Sequence, residues 1–261
     1  MTDPLFIDVE SGGNARRIAV RRLAGAGPEI VWLGGFRSDM LATKASHIED
    51  WGRAGGRAVT RFDYSGHGES GGRFEDGTIS QWLEDALAVV ERVVEHGPLL
   101  VGSSMGGWLA LLAARRLAGT AKAPVGLVLV APAADFTEAL MWSQFPEAVK
   151  AEIVAKGQWL RPSAYAPGPY PITRALIEDG RRHLLLGKAI APGCPVHILQ
   201  GMSDPDVPWN HAMTLMERLA SDDVTMTLIK DGDHRLSRPQ DLAKLIEAIE
   251  GIGPTQSTLF K

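Results

Sequence analysis

Leu99-Leu100-Val101-Gly102-Ser103-Ser104-Met105-Gly106-Gly107-Trp108 decides how the rest of the chain is read. Three apolar residues suited to a buried strand run into Gly102-Ser103-Ser104-Met105-Gly106, a G-x-S-x-G sequence, and a helical pattern starts at Met105. Strand, sharp turn and helix in that order form the setting in which a serine stands out from the end of a sheet as a nucleophile. The glycines have a steric reason, because in so sharp a turn the backbone segments approach too closely for a Cβ. Ser104 is therefore the candidate nucleophile. The helix behind it offers free N–H groups and the positive end of its dipole to a developing oxyanion.

On both sides of this segment the same alternation recurs: an apolar run rich in β-branched residues, a glycine-containing turn, then a helical pattern. Strands are expected at Leu5–Val9, Arg17–Leu23, Glu29–Leu33, Arg57–Phe62, Pro98–Gly102, Val125–Val130, Val196–Leu199 and Val224–Ile229. Helices are expected at Met40–Ala54, Ile79–His96, Met105–Leu117, Trp209–Ala220 and Arg238–Ile249. Thr78-Ile79-Ser80-Gln81 reads as a capping box at the head of the second helix. Such alternation predicts an α/β fold, a mostly parallel sheet of about eight strands with helices on both faces. The first two strands have no helix between them, which predicts an antiparallel edge. Residues 1–261 are read as a single domain. Between Ala133 and Cys194 no strand pattern is visible, and the aromatic, proline-rich residues 134–194 are expected to be an inserted helical cap or lid.

Charge and cysteine content exclude several classes. With 27 Lys and Arg against 31 Asp and Glu, the net charge of −4 lacks the concentrated positive charge that phosphate backbones require, so no nucleic-acid partner is expected. The single cysteine, Cys194, can form neither an internal disulfide nor a cysteine-rich zinc site. The start Met1-Thr2-Asp3-Pro4-Leu5-Phe6-Ile7-Asp8 has neither a basic, apolar signal-peptide pattern nor an Arg/Ser-rich presequence, which leads to the expectation of a cytoplasmic protein. No membrane span is expected, since Pro98 and the glycines from Gly102 to Gly107 interrupt the longest uncharged stretch, Gly97–Ala114.

A serine hydroxyl needs a base, and the base needs a carboxylate to orient it. His234, in Lys230-Asp231-Gly232-Asp233-His234 after the last strand, falls at the same sheet edge as Ser104. His67, in Ser65-Gly66-His67-Gly68, reaches that edge as well, but no later strand-end acid gives it the usual chain order. For the acid, Gly201-Met202-Ser203-Asp204-Pro205-Asp206 offers two candidates, Asp204 and Asp206. Asp206 also suits the start of the helix after Pro208. The oxyanion hole needs two N–H donors. One is Met105, after the nucleophile; the other is Phe36, or failing it Gly35, in the loop Gly34-Gly35-Phe36.

Five segments carry a resemblance: Arg61–Ser70 (RFDYSGHGES), Val101–Leu109 (VGSSMGGWL), Gly157–Tyr165 (GQWLRPSAY), Gly201–Trp209 (GMSDPDVPW) and Asp231–Leu236 (DGDHRL). They make the chain similar to the α/β-hydrolases and, more narrowly, to the abhydrolase-domain palmitoyl thioesterase and acyl-glucuronide esterase family. The resemblance implies an α/β-hydrolase fold with a small helical cap and a Ser104-His234-Asp204 triad. It further implies a serine hydrolase of esters or thioesters of hydrophobic acyl groups, with no metal or cofactor. The substrate would be a small molecule or an acylated protein, with Gly35, Trp142, Trp159 and Tyr165 as substrate-binding candidates. A general carboxylesterase or peptidase-like hydrolase, or a non-catalytic binding protein of the same fold, are the competing expectations.

Overall fold

Apolar runs with side chains buried on both faces build the centre of the molecule. The computed structural model describes residues 3–11, 14–162, 168–220 and 223–252. In chain order β1 (Leu5–Ser11), β2 (Asn14–Leu23), β3 (Ala26–Leu33), α1 (Thr43–Gly55), β4 (Arg57–Phe62) and α2 (Ile79–Val93) lead to β5 (Leu99–Ser103), α3 (Met105–Leu117) and β6 (Gly126–Val130). Residues 134–194 contribute α4 (Glu147–Lys156), β7 (Gln158–Arg161), β8 (Tyr170–Thr173) and α5 (Arg174–Gly180). The chain returns through β9 (Val196–Gly201), α6 (Trp209–Arg218), β10 (Val224–Ile229) and α7 (Pro239–Gly251).

Eight strands form one sheet in the order β1-β2-β4-β3-β5-β6-β9-β10. β2 runs antiparallel to β1 and β4, while the remaining pairings are parallel. The expected antiparallel edge and mostly parallel sheet are thus both present. Side chains alternate between the faces, as strand geometry demands. Val31, Leu33, Leu100, Leu127 and Leu129 point into a core shared with Trp82 and Val89 of α2 and Leu109 and Leu112 of α3. Ile30, Trp32, Leu99, Val101, Val128 and Val130 point the other way, against Ala45 and Ile48 of α1 and Leu245 and Ile249 of α7. Every parallel strand ends at one rim of the sheet, and the loops that carry the candidate residues leave from there.

Two local expectations change for identifiable reasons. α1 begins at Thr43 and not at Met40, because buried side chains occupy the Met40 peptide. Asp63 Oδ1 accepts its N–H at 2.6 Å, and Arg61 donates to its C=O at 2.6 Å. At the head of α2 only half of the capping box forms. Thr78 accepts the Gln81 N–H at 3.2 Å, but the Gln81 amide donates to Ser65 Oγ at 2.7 Å and does not turn back on the cap.

The segment 134–194 corrects one expectation, for it contains a hairpin. β7 and β8 pair antiparallel, with Trp159 opposite Ile172 and Leu160 opposite Pro171. Each strand has four residues, too few to establish a period of two, and Pro171 removes one donor from the ladder. The segment is tied down at its base by buried acids. Asp135 accepts the N–H groups of Leu185 and Leu186 at 2.8 and 2.9 Å, and Asp179 accepts the Ser80 N–H at 2.7 Å. Among the described residues no helix is long and apolar enough to cross a membrane.

Candidate active site

Ser104 stands between β5 and α3 with φ 54° and ψ −116°, a conformation that costs a non-glycine residue roughly 1–3 kcal/mol. Its neighbours impose it. A Cβ on Gly102 would lie 2.3 Å from the Gly106 carbonyl oxygen, and one on Gly106 would lie 2.0 Å from that of Leu33. Only bare backbone fits at either position. The Ser104 N–H donates to Val130 O at 2.9 Å, while its C=O accepts from Gly107 and Ala133 at 2.9 and 3.1 Å. Both sides of the strained residue are therefore pinned. Met105 opens α3, where the first N–H groups have no intrahelical acceptor.

The acid and the histidine come from the ends of β9 and β10. Their loops are laced together by the Ser203 N–H, which donates to Gly232 O at 2.9 Å. His234 Nδ1 lies 2.8 Å from Asp204 Oδ2. The Asp204 carboxylate is shut away from solvent, with its Oδ1 accepting the N–H groups of Asp206 and Val207 at 2.8 Å each and its Oδ2 reached by the Gln200 amide at 3.3 Å. A carboxylate held at four points keeps one orientation. Asp206 serves it through the main chain, and its own side chain is exposed. The head of α6, with Pro208 as its N-cap, carries no side-chain capping bond. Asp204, Asp206 and His234 also form the one trio among the described residues whose ligating atoms lie within 4.8 Å of one another, but Asp204 is already occupied as described.

Ser104 and His234 line one cavity of about 470 Å³, together with Gly35, Phe36, Arg37, Lys44 and Tyr170. Gly35 faces the nucleophile so closely that a Cβ there would come 3.4 Å from Ser104 Cβ. Phe36 forms the apolar wall: its ring centre lies 5.0 Å from Phe74, 5.6 Å from Phe136, 5.9 Å from Trp82 and 6.0 Å from Tyr170. Another part of the lining is polar. There the Lys44 ammonium donates to the Arg235 carbonyl, bracing the loop next to His234, and burial lowers its pKa to about 8.

The structure thus gathers Ser104, His234, Asp204, Gly35, Phe36 and Met105 at one rim. The aromatic candidates fall elsewhere. Trp142 lies under the Arg181 guanidinium, 5.0 Å from its ring centre, and Trp159 meets Phe145 edge-on at 5.4 Å; neither lines this cavity or its neighbour of about 350 Å³. Tyr165 lies outside the described residues. Tyr170 and Arg37, which the sequence did not single out, line both cavities, and the Arg37 guanidinium sits 4.3 Å over the Tyr170 ring. Only an adjacent aromatic–proline run, Pro169-Tyr170-Pro171, could have marked Tyr170 in the sequence.

Fold, elbow and rim define an α/β hydrolase. Residues 25–245 match the alpha/beta hydrolase family, and the chain belongs to it. The chain is 38% identical over 243 residues to human mitochondrial palmitoyl-protein thioesterase ABHD10, covering 93% of this chain and 78% of that protein. The structure of the mouse alpha/beta hydrolase domain-containing protein 10 superimposes with a TM-score of 0.85 at 34% identity, covering 95% of this chain and 98% of that one. A crystal structure from Agrobacterium vitis S4 gives a TM-score of 0.92 at 48% identity, covering 97% and 99%.

Proposed function

We propose that this hydrolase is a serine enzyme that cleaves thioesters or esters of hydrophobic acyl groups through an acyl-enzyme. One observation carries the reading: a strained, pinned Ser104 shares a cavity with a histidine whose Nδ1 is 2.8 Å from a buried, fully engaged carboxylate. Asp204 holds His234 in the tautomer that leaves Nε2 free to act as base. His234 takes the Ser104 proton as Oγ bonds to the acyl carbon, and the Phe36 and Met105 N–H groups stabilise the oxyanion. The tetrahedral adduct then expels the thiol or alcohol, which leaves with the proton from His234. Water, deprotonated by the same imidazole, attacks the acyl-enzyme and regenerates Ser104.

The choice of acyl substrate rests on the wall built around Phe36 and on the thioesterase named among the relatives. Residues 134–194 act as the cap that closes the acyl site, and the thiol is carried by a small molecule or by a cysteine of an acylated protein, in either case with the acyl chain against Phe36. Matched acyl-thioester and p-nitrophenyl ester series of increasing chain length test the reading, with Ser104→Ala as control. Medium or long thioesters are expected to turn over best, and a fluorophosphonate should label Ser104. Better turnover of short oxyesters makes the chain a general carboxylesterase, and a folded protein that neither labels nor hydrolyses is a binding protein.

A further inference from the structure

The segment Arg61–Ser70 takes no part in the proposed chemistry, yet it holds the loop that does. Gly35 accepts the Ser38 N–H at 3.0 Å, closing a four-residue turn in which Phe36 and Arg37 are the central residues. Arg37 has φ 61°, whereas Phe36 is not among the residues of positive φ. This is type II geometry carried by an arginine where glycine is usual. Type I and type II turns differ by rotation of the central peptide, here the one joining Phe36 to Arg37. Without an external hold, the backbone would favour the arrangement that relieves Arg37.

That hold is His67. Its Nε2 accepts the Arg37 N–H at 3.2 Å, and its Nδ1 faces Ser65 O at 3.2 Å. Since Nε2 accepts, the proton of the neutral ring is on Nδ1 and is donated to Ser65. Burial lowers the imidazole pKa to about 4, so the acceptor persists at neutral pH. Ser65 is itself immobilised by α2: Asp85 Oδ2 accepts its N–H and hydroxyl at 2.9 and 2.6 Å, and the Trp82 indole donates to its C=O at 3.1 Å. The imidazole is wedged edge-on against Phe74 and Trp82, with ring centres 5.3 Å away in each case.

We propose that His67 is a positioning residue of the oxyanion hole: by holding the Arg37 N–H it fixes the turn from Gly35 to Ser38, and with it the Gly35–Phe36 peptide whose N–H is aimed at the carbonyl oxygen above Ser104. The proposal rests on the serine-hydrolase reading above. His67→Phe retains a ring among the aromatic neighbours but has no acceptor; His67→Gln places an amide oxygen within reach of the Arg37 N–H. His67→Phe should lower kcat about 10- to 100-fold with KM changed less than about threefold, and His67→Gln should recover most of that loss. A merely structural role would instead lower both variants together or move neither.

In the wild type, a ¹⁵N–¹⁵N coupling across the hydrogen bond should link the Arg37 amide to His67 Nε2, a measurement that does not depend on any variant folding. Absence of that coupling overturns the assignment, as does a folded His67→Phe with wild-type kcat. A wild type that is folded but inert toward esters and fluorophosphonate defeats the hydrolase reading and this assignment with it; an active wild type with an indifferent His67 defeats this assignment alone.

Discussion

The sheet rim and the 134–194 segment meet at the cavity, where Tyr170 joins Ser104 and His234 in the lining, but they are built differently. At the rim, buried backbone groups and buried carboxylates fix each piece: Asp204 is bonded at four points, Ser104 is held by three main-chain bonds, and the glycines beside it admit no Cβ. The described part of the 134–194 segment sends Ile153, Ile172, Leu176 and Ile177 into the core, and its outer surface adds ion pairs along short helices, such as Lys150–Glu147, Lys156–Glu152 and Arg174–Glu178. Pairs of that kind contribute about 0.3–0.5 kcal/mol each. The rim has one geometry, whereas the exposed faces of those helices can change their side chains without unsettling the sheet. In the function proposed above, chemistry falls to the first region and substrate choice to the second.

The contrast is most exposed at the acid. Asp204→Asn should lower kcat by about 10⁴-fold, because the imidazole then settles in the wrong tautomer, while Asp206→Asn stays within about threefold. Steady-state kinetics of the two variants, with matching circular dichroism, check this; the reverse ranking would move the acid to Asp206. Across the cavity, Tyr170→Ala should act on selection: KM for long acyl chains should rise about 10-fold with kcat changed less than about threefold. A loss of kcat equal to that of a rim variant would erase the distinction between the two regions.

The smallest effect lies at the polar wall. Lys44 has a folded pKa of about 8 against an ordinary value of 10.5, so between those values the folded chain binds fewer protons than the unfolded one. Stability contributed by this group therefore rises with pH across that window. Urea denaturation from pH 7.5 to 10.5 should show the wild type gaining on Lys44→Met as pH increases, and parallel curves would mean that the ammonium is not desolvated by the rim.

The sequence carried the rim well because local rules write it. A glycine-flanked serine between a strand and a helix has few alternative structures, and a histidine or acid just past an apolar run must emerge at the strand's end. The start of α1 was less legible, since it depends on Arg61 and Asp63 holding the Met40 peptide from 21 and 23 residues away. The hairpin of β7 and β8 was invisible for want of length. Trp142 and Trp159 illustrate the same limit: an aromatic side chain signals burial, but only packing decides whether it borders a ligand site or a salt-bridged surface. Arg37 and Tyr170 meet through space across more than a hundred residues, and no spacing in the chain announces them.

The backbone at Ser104 has a further consequence. Its direction is set by Val130, Gly107, Ala133 and two glycines, none of which senses what the side chain is made of. An unbranched replacement such as cysteine or aspartate would be delivered to the same point in the cavity, whereas threonine, with a second substituent on Cβ, would resist the positive φ. The elbow is an aiming device with an interchangeable tip.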